Sequence, residues 1–246
     1  MPEKGNTIKI LGIDFYNGSV TGVIDRLQSG GLLVVPSAPG LVTIPDDSDY
    51  YESLLGADIV IPDSGYMSLL WNLFHKEKIN RISGLEFLIA FLNTKQTNNL
   101  LLVDPSQNEA ESNINYLNSV GFQITPSASY LAPFYNKKGA IADQTLLDLI
   151  DRAKPKYVII NLGGGIQEKL GAYLRKNLSY KPGIICTGAA IAFLTGNQAN
   201  IPAWADKLSL GWLIRCIENP NLYIPRYAKS FKLIVLMLRF GKNSPI

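Results

Sequence analysis

Apolar runs rich in branched residues recur along this chain, each followed by a stretch whose apolar positions repeat every three or four residues. Thr7–Ile13, Leu32–Val35, Ile59–Ile61, Leu100–Val103, Phe122–Thr125, Tyr157–Leu162 and Gly183–Cys186 read as strands. Most are nearly continuous in hydrophobicity, the pattern of strands covered on both faces. The periodic stretches predict helices over Ser19–Ser29, Ser48–Leu55, Tyr66–Phe74, Gly84–Asn93, Ser106–Ser119, Ala142–Ala153 and Gln167–Asn177. This alternation predicts an α/β fold, a mostly parallel sheet with helices on both faces, Rossmann-like in plan. After Gly196 the strand signal stops. Trp204–Arg215 and Tyr223–Arg239 read as helices, punctuated by Pro202, Pro220 and Pro225. The expected division is therefore an α/β domain over residues 1–200 and a helical C-terminal appendage over 201–246.

Charge sharpens that division. The net charge of +3 is too small to suggest nucleic acid, but Ala203–Ile246 holds seven Lys/Arg against two Asp/Glu, or +5. The first 202 residues carry sixteen basic against eighteen acidic side chains, or −2, so the basic character is local. With 246 residues and 47% hydrophobic content the chain can bury a full core. Cys186 and Cys216 have no metal-ligand spacing and fit a reduced, cytosolic protein. The N-terminus, MPEKGNTIKILGIDF, has no secretory-signal pattern. FKLIVLMLRF at 231–240 falls far short of the roughly 20 residues that cross a bilayer. With Lys229, Lys232, Arg239 and Lys242 around LIVLML, a helix there either meets an anionic membrane surface or packs on the domain or a partner subunit.

In an open parallel sheet, ligands sit beyond the carboxyl ends of the strands. Three loops directly follow predicted strands: PSAPG at 36–40, PDSGY at 62–66 and GGGIQEK at 163–169. In the third, a buried strand leads through Gly163, Gly164 and Gly165 into a helix opening on Gln167 and Glu168. Glycines let the backbone approach a ligand closely, and a helix start offers N–H groups to an anion, so this order suits a nucleotide diphosphate. A tight strand-to-helix turn without ligand is the alternative. Asp63 ends an apolar strand before Ser64 and Gly65 and is the best candidate base; a helix N-cap is the competing role. Gln167 and Glu168 likewise suit an ordinary first helical turn. His75, the only histidine, sits among Lys76, Glu77 and Lys78 and reads as a helix-end residue. No zinc spacing, G-x-S-x-G elbow, Walker A loop or G-x-G-x-x-G fingerprint occurs, so neither NAD nor ATP is the expected ligand.

The segments ILGIDF, ADIVIPDSG (57–65), RISG (81–84), NLGGGIQEK (161–169), TGAAIAFLTG (187–196) and PAWADKLSLGWLIRCIENPNLYIPRY (202–227) together resemble the WecG/TagA/CpsF glycosyltransferases, family 26. The resemblance implies an inverting, metal-independent sugar transfer, with no cofactor. The sugar would move from a nucleotide-diphosphate donor, usually UDP-linked, to a polyprenyl-diphosphate-linked acceptor in cell-surface polysaccharide synthesis. It also implies a cytoplasmic protein peripheral to the inner face of the membrane; a homo-oligomer is left open. By motif, Asp63 would be the general base, and Gln167 and Glu168 would contact the nucleotide. Gly163–Gly165 would admit its diphosphate, and Arg215 and Arg226 from the appendage would hold it as it leaves. Ser37, Ser64, Gly65 and Arg81 complete the candidate substrate-binding set.

The chain also departs from the family pattern. Pro36-Ser37-Ala38-Pro39-Gly40 stands where relatives have Thr-x-Asn-x-Glu, and Ala192 replaces an aspartate. Asn200 replaces an arginine, and Asp63-Ser64 stands for Asp-Gly. These changes fit a divergent transferase, or a nucleotide-sugar or lipid-carrier binding protein that kept the fold. A sugar-nucleotide-modifying enzyme is a third, more distant option.

Overall fold

The structure, a computed structural model, describes residues 7–94, 99–188, 190–197 and 211–246. Among them, eight strands form one sheet: β1 (Thr7–Ile10), β2 (Ile13–Tyr16), β3 (Gly31–Val34), β4 (Ile59–Val60), β5 (Leu100–Asp104), β6 (Ser129–Leu131), β7 (Tyr157–Ile160) and β8 (Gly183–Cys186). Their order is β1-β2-β4-β3-β8-β7-β5-β6. Only β1 and β2 run antiparallel. The Rossmann-like α/β plan expected from the alternation is the one observed.

The central strands are apolar on both sides because both sides are covered. Leu32, Val34, Val158, Ile160 and Ile184 point into one core, and Leu33, Ile159 and Ile185 into the other. The helices are α1 (Val20–Leu27), α2 (Ala38–Leu41), α3 (Ser48–Leu55), α4 (Gly65–Phe74), α5 (Gly84–Asn93), α6 (Gln107–Ser119), α7 (Gln144–Ala153), α8 (Ile166–Asn177), α9 (Ala190–Leu194), α10 (Gly211–Glu218), α11 (Pro220–Ser230) and α12 (Lys232–Phe240). Ser19, Asp47, Ser64, Ser83, Ser106 and Asp143 each accept a backbone N–H of the helix they precede. Such caps contribute about 1 kcal/mol apiece and explain why those helices begin where they do.

Three expectations change. Thr7–Ile13 is not one strand but a hairpin, with Leu11 (φ 51°) and Gly12 (φ 80°) as its two-residue turn. A turn with positive φ at both central positions normally selects Asn or Gly at the first, so Leu11 conceals it. Tertiary bonds hold it instead: Leu11 N–H donates to the Gly241 carbonyl (2.8 Å) and Gly12 N–H to that of Lys242 (3.1 Å). Phe122–Thr125 is not a strand. The Asn118 amide takes both backbone groups of Ile124 (2.8 and 3.0 Å), and pairing begins only at Ser129. The expected helix over Tyr223–Arg239 is two helices that part at Phe231, while Pro225 lies inside α11. Residues 204–210 of the expected Trp204–Arg215 helix lie outside the described residues, and α10 runs past Arg215 to Glu218.

The run LIVLML divides its faces. Leu233 and Met237 of α12 are buried in the main core, whereas Phe231, Val235 and Leu238 are 66%, 64% and 62% exposed. Parallel to α12 lies α4: Phe231 packs edge-on to Tyr66 (6.1 Å between ring centres), and at the other end Lys242 pairs with Glu77 at 2.7 Å. No helix among the described residues is long and apolar enough to cross a membrane.

Candidate active site

The carboxyl ends of β4, β3, β8 and β7 lie side by side at mid-sheet. Each delivers one loop, and these carry Asp63, Ser37, Thr187 and Gly163 respectively. At about 4.8 Å per strand, the row from Asp63 to Gly163 spans roughly 14 Å.

Asp63 does not cap the helix that follows it, because Ser64 does, accepting the Met67 N–H at 3.1 Å. The Asp63 carboxylate instead reaches across to α5, where its Oδ1 accepts the Gly84 N–H at 2.8 Å. Arg81 donates Nε–H to the Asp63 carbonyl (2.7 Å) and holds its guanidinium 3.9 Å from Oδ1. The Asp63 side chain keeps 30% of its surface exposed. It is thus a positioned, charge-paired carboxylate at a strand end with access to solvent. Ser64 is buried by its capping duty, and Gly65 forms the first residue of α4. Ser37 caps α2, its Oγ 3.4 Å from the Gly40 N–H.

The glycine turn separates the two readings weighed for it. A Cβ built on Gly171 of α8 would lie 2.7 Å from Leu32 Cδ1 and 2.9 Å from Cys186 Sγ, so that glycine exists for close helix–sheet packing. A Cβ on Gly163, Gly164 or Gly165 would meet nothing within 4 Å. Only Gly165, with φ 88°, has a conformational reason to be glycine. Protein packing therefore does not account for Gly163 and Gly164, and their exposed backbone leaves room for a ligand.

Gln167 and Glu168 are 2% and 1% exposed, and their bonds run to the loops. Gln167 Oε1 accepts the Gly188 N–H at 2.7 Å, and Gln167 Nε2 donates to Glu168 Oε1 at 3.1 Å. Glu168 Oε2 accepts the Gly165 N–H at 2.6 Å. Together they lock the loop after β7 to the loop after β8. Burial raises the Glu168 carboxyl above its ordinary pKa, against the pull of its hydrogen bonds and of Lys169. The Gly163 carbonyl accepts the N–H groups of Ile166 and Gln167, both at 3.2 Å. The start of α8 is thus occupied by the protein's own acceptors, unlike the open anion site its sequence suggests.

Arg215, on α10, lies over the loop region after β8. Its guanidinium sits 4.7 Å from the centre of the Phe193 ring, and Nη1 donates to the Tyr227 hydroxyl at 3.3 Å. Its Nε is buried without a partner among the described residues, as is Thr187 Oγ1 at the end of β8. Unpaired buried polar groups are costly, and a guanidinium with a spare donor suits an anionic ligand. α11 packs on α2, the short helix that follows β3. The side chain of Arg226, and Asn200 altogether, lie outside the described residues.

Several contributors left no motif. Asp104, fully buried at the end of β5, accepts from Asn113 and Asn161 (both 2.7 Å) and from Ser129 (2.8 Å), binding the ends of β5, β6 and β7 together. Lys169, 3% exposed, joins Asp47 (3.3 Å) to the Lys137 carbonyl (2.5 Å). Asp104 closes a strand buried along its whole length, and Lys169 lies in an unbroken buried run at the start of α8, so no alternation marks either. His75 ends α4 and stacks on Trp71 at 3.6 Å. No group of three His, Cys, Asp or Glu that could hold a metal ion occurs among the described residues.

The fold is that of a Rossmann-like α/β protein whose C-terminal helices pack on the segments that follow β3 and β8. The glycosyl transferase WecG/TagA/CpsF family model matches residues 8–244, and the chain belongs to that family. It is a glycosyltransferase, an enzyme of glycosyl transfer in polysaccharide synthesis. No curated protein sequence matches the chain.

Proposed function

We propose that this enzyme transfers a sugar, with inversion, from a UDP-linked or related nucleotide-diphosphate donor to a polyprenyl-diphosphate-linked acceptor at the inner face of the cell membrane. The observation that carries this reading is the open backbone at Gly163 and Gly164, in line with Asp63 across four adjacent strand ends. Asp63 takes the proton of the acceptor hydroxyl as its oxygen attacks the anomeric carbon from the face opposite the leaving group. The bond between that carbon and the diphosphate oxygen breaks, and the nucleoside diphosphate departs with the electron pair. Arg215, reaching from α10 with a buried Nε that has no partner among the described residues, stabilises the negative charge that develops there. Arg226, one helix on, is proposed to assist it. Arg81 and Gly84 hold Asp63 in place, while Gln167 and Glu168 fix the loops on which the donor lies. Ser37, Ser64 and Gly65 border the acceptor side.

This chemistry asks for no metal ion, because cationic side chains do the work of charge neutralisation. The test is turnover with a panel of UDP- and GDP-sugars and a polyprenyl-diphosphate-sugar acceptor, with and without EDTA. One donor giving an inverted product at an EDTA-insensitive rate is expected. No turnover with any pair would sink the donor and acceptor assignment, and loss with EDTA the metal-free mechanism.

The acceptor's lipid requires contact with a membrane, and α4 and α12 offer it. Leu69 and Leu73 of α4 are 65% and 70% exposed, on the helix beside Phe231, Val235 and Leu238. Lys229, Lys232 and Arg239 stand exposed along the same C-terminal segment. Apolar side chains edged by cations suit the surface of an anionic leaflet. Removing the whole tail would also strip Leu233 and Met237 from the core, so substitution is the cleaner test. Val235→Glu with Leu238→Glu is expected to weaken cosedimentation with phosphatidylglycerol vesicles at least about tenfold while leaving the melting temperature unchanged. Undiminished cosedimentation would remove α12 from the contact.

A further inference from the structure

Tyr50, the third residue of α3, is a buried ionisable group that the mechanism above does not use. Its ring is fixed in the main core, and only 1% of the residue is exposed. The hydroxyl at its tip donates to no described residue, whereas a phenylalanine would pack there without a polar atom left unpaired. Burial above all, reinforced by the Glu168 and Asp47 carboxylates, holds the phenol well above its ordinary pKa. It therefore stays protonated, a rigidly placed donor without an acceptor.

That donor lies where two site loops meet. A Cβ built on Gly40 would stand 2.6 Å from the Tyr50 hydroxyl oxygen and 3.6 Å from Ser37 Oγ, which puts both hydroxyls beside the loop after β3. The φ of Gly40 is not positive, so it is the Tyr50 hydroxyl that leaves no room for a side chain there. Within PSAPG only Ser37 has a polar side chain, and Tyr50 supplies a second from another element. Toward α8 the phenol feels the carboxylate of Glu168, which binds the Gly165 N–H of the loop after β7 at 2.6 Å. The charge around it is negative: Glu168 and Asp47 act on the phenol, and the buried Lys169 is already committed to Asp47 at 3.3 Å and to the Lys137 carbonyl. A substrate carboxylate would be repelled there, while a neutral hydroxyl can accept from Tyr50 and still donate its own proton.

We propose that Tyr50 sets sugar specificity: its hydroxyl donates a hydrogen bond to a ring hydroxyl of an uncharged transferred sugar, a neutral hexose or N-acetylhexosamine rather than a hexuronate. The proposal rests on the donor reading above and names the class of sugar that this reading leaves open. Ser37 borders the acceptor side and Glu168 fixes the loops on which the donor lies, so the sugar in transit is the part of the substrates that passes between them.

The test compares the full chain with its Tyr50→Phe variant in two assays: binding of UDP and GDP, and turnover of UDP- and GDP-linked neutral hexoses, N-acetylhexosamines and hexuronates on the polyprenyl-diphosphate-sugar acceptor. Expected is a fall of about tenfold in kcat/KM for the neutral sugar that the unmodified enzyme prefers, with nucleotide affinity and melting temperature unchanged. Gly40→Ala, whose Cβ would displace the hydroxyl, is expected to lose a similar factor by itself and little more when added to Tyr50→Phe. Undiminished kcat/KM in Tyr50→Phe would overturn the sugar contact. So would an equal loss of nucleotide affinity or a fall in melting temperature, which would assign the hydroxyl to the diphosphate or to the fold. A hexuronate turned over faster than its neutral parent would overturn the choice of an uncharged sugar. In each of these cases the unmodified enzyme still turns over and the donor reading stands. No turnover of any nucleotide sugar by the unmodified enzyme would take both readings down together.

Discussion

Asp63→Asn is expected to lower the turnover number of the transferase by about 10²–10⁴-fold with little change in donor affinity. The expectation follows from how the side chain is held. Asparagine keeps an oxygen for the Gly84 N–H, 2.8 Å away, so the tie between the β4 loop and α5 survives. What it cannot do is accept the acceptor hydroxyl's proton. A steady-state assay at saturating donor, paired with a thermal melt, checks both halves. Undiminished turnover would remove Asp63 as the base, and a collapsed melting temperature would mean that the carboxylate was holding the loop instead.

Asp47→Ala is expected to be the most destabilising single change outside the hydrophobic core. Lys169 Nζ, on a side chain only 1% exposed, sits 3.3 Å from Asp47 Oδ2, and deleting the carboxylate leaves a cation buried without its counter-charge. Breaking such a pair costs about 3 kcal/mol or more. Asp47 also accepts the Tyr50 N–H at 3.0 Å as the cap of α3, adding about 1 kcal/mol. For a chain of this size the sum lowers the melting temperature by roughly 10 °C. The contrast is Asp14, whose bridge to Lys9 joins side chains 58% and 51% exposed, where Asp14→Ala should shift it by no more than about 3 °C. Equal shifts for the two variants would show that the buried pair is not special. Because Lys169 also holds the Lys137 carbonyl, Asp47→Ala should loosen the loop that carries Phe134.

The parallel sheet was legible because its strands are apolar on both faces, a pattern that survives in sequence without any alignment. Most helix starts were legible for a second local reason: Ser and Asp caps advertise themselves. The hairpin at Leu11–Gly12 was not, since its positive φ is imposed by carbonyls from the far end of the chain rather than by turn residues. Phe122–Thr125 misled because Asn118 supplies with a side chain what a neighbouring strand would supply with its backbone. In the site, Asp63 and the glycines were visible as residue types at strand ends. Their working relationships were not. Glu168 accepts the Gly165 N–H at the start of its own helix, a bond its motif does not announce, and Phe134, the exposed ring on a braced loop, carries no motif at all.

The bonds from Leu11 and Gly12 to Gly241 and Lys242 also bear on the order in which the molecule is made. The hairpin is translated before the other strands of the sheet, but the carbonyls that stabilise its strained turn belong to a segment translated after all of the described strands. The sheet edge formed by β1 and β2 therefore remains without its final brace until α12 has docked, and the contact that closes it is among the most distant in sequence. One docking event thus sets α12 in place and seals the edge of the sheet.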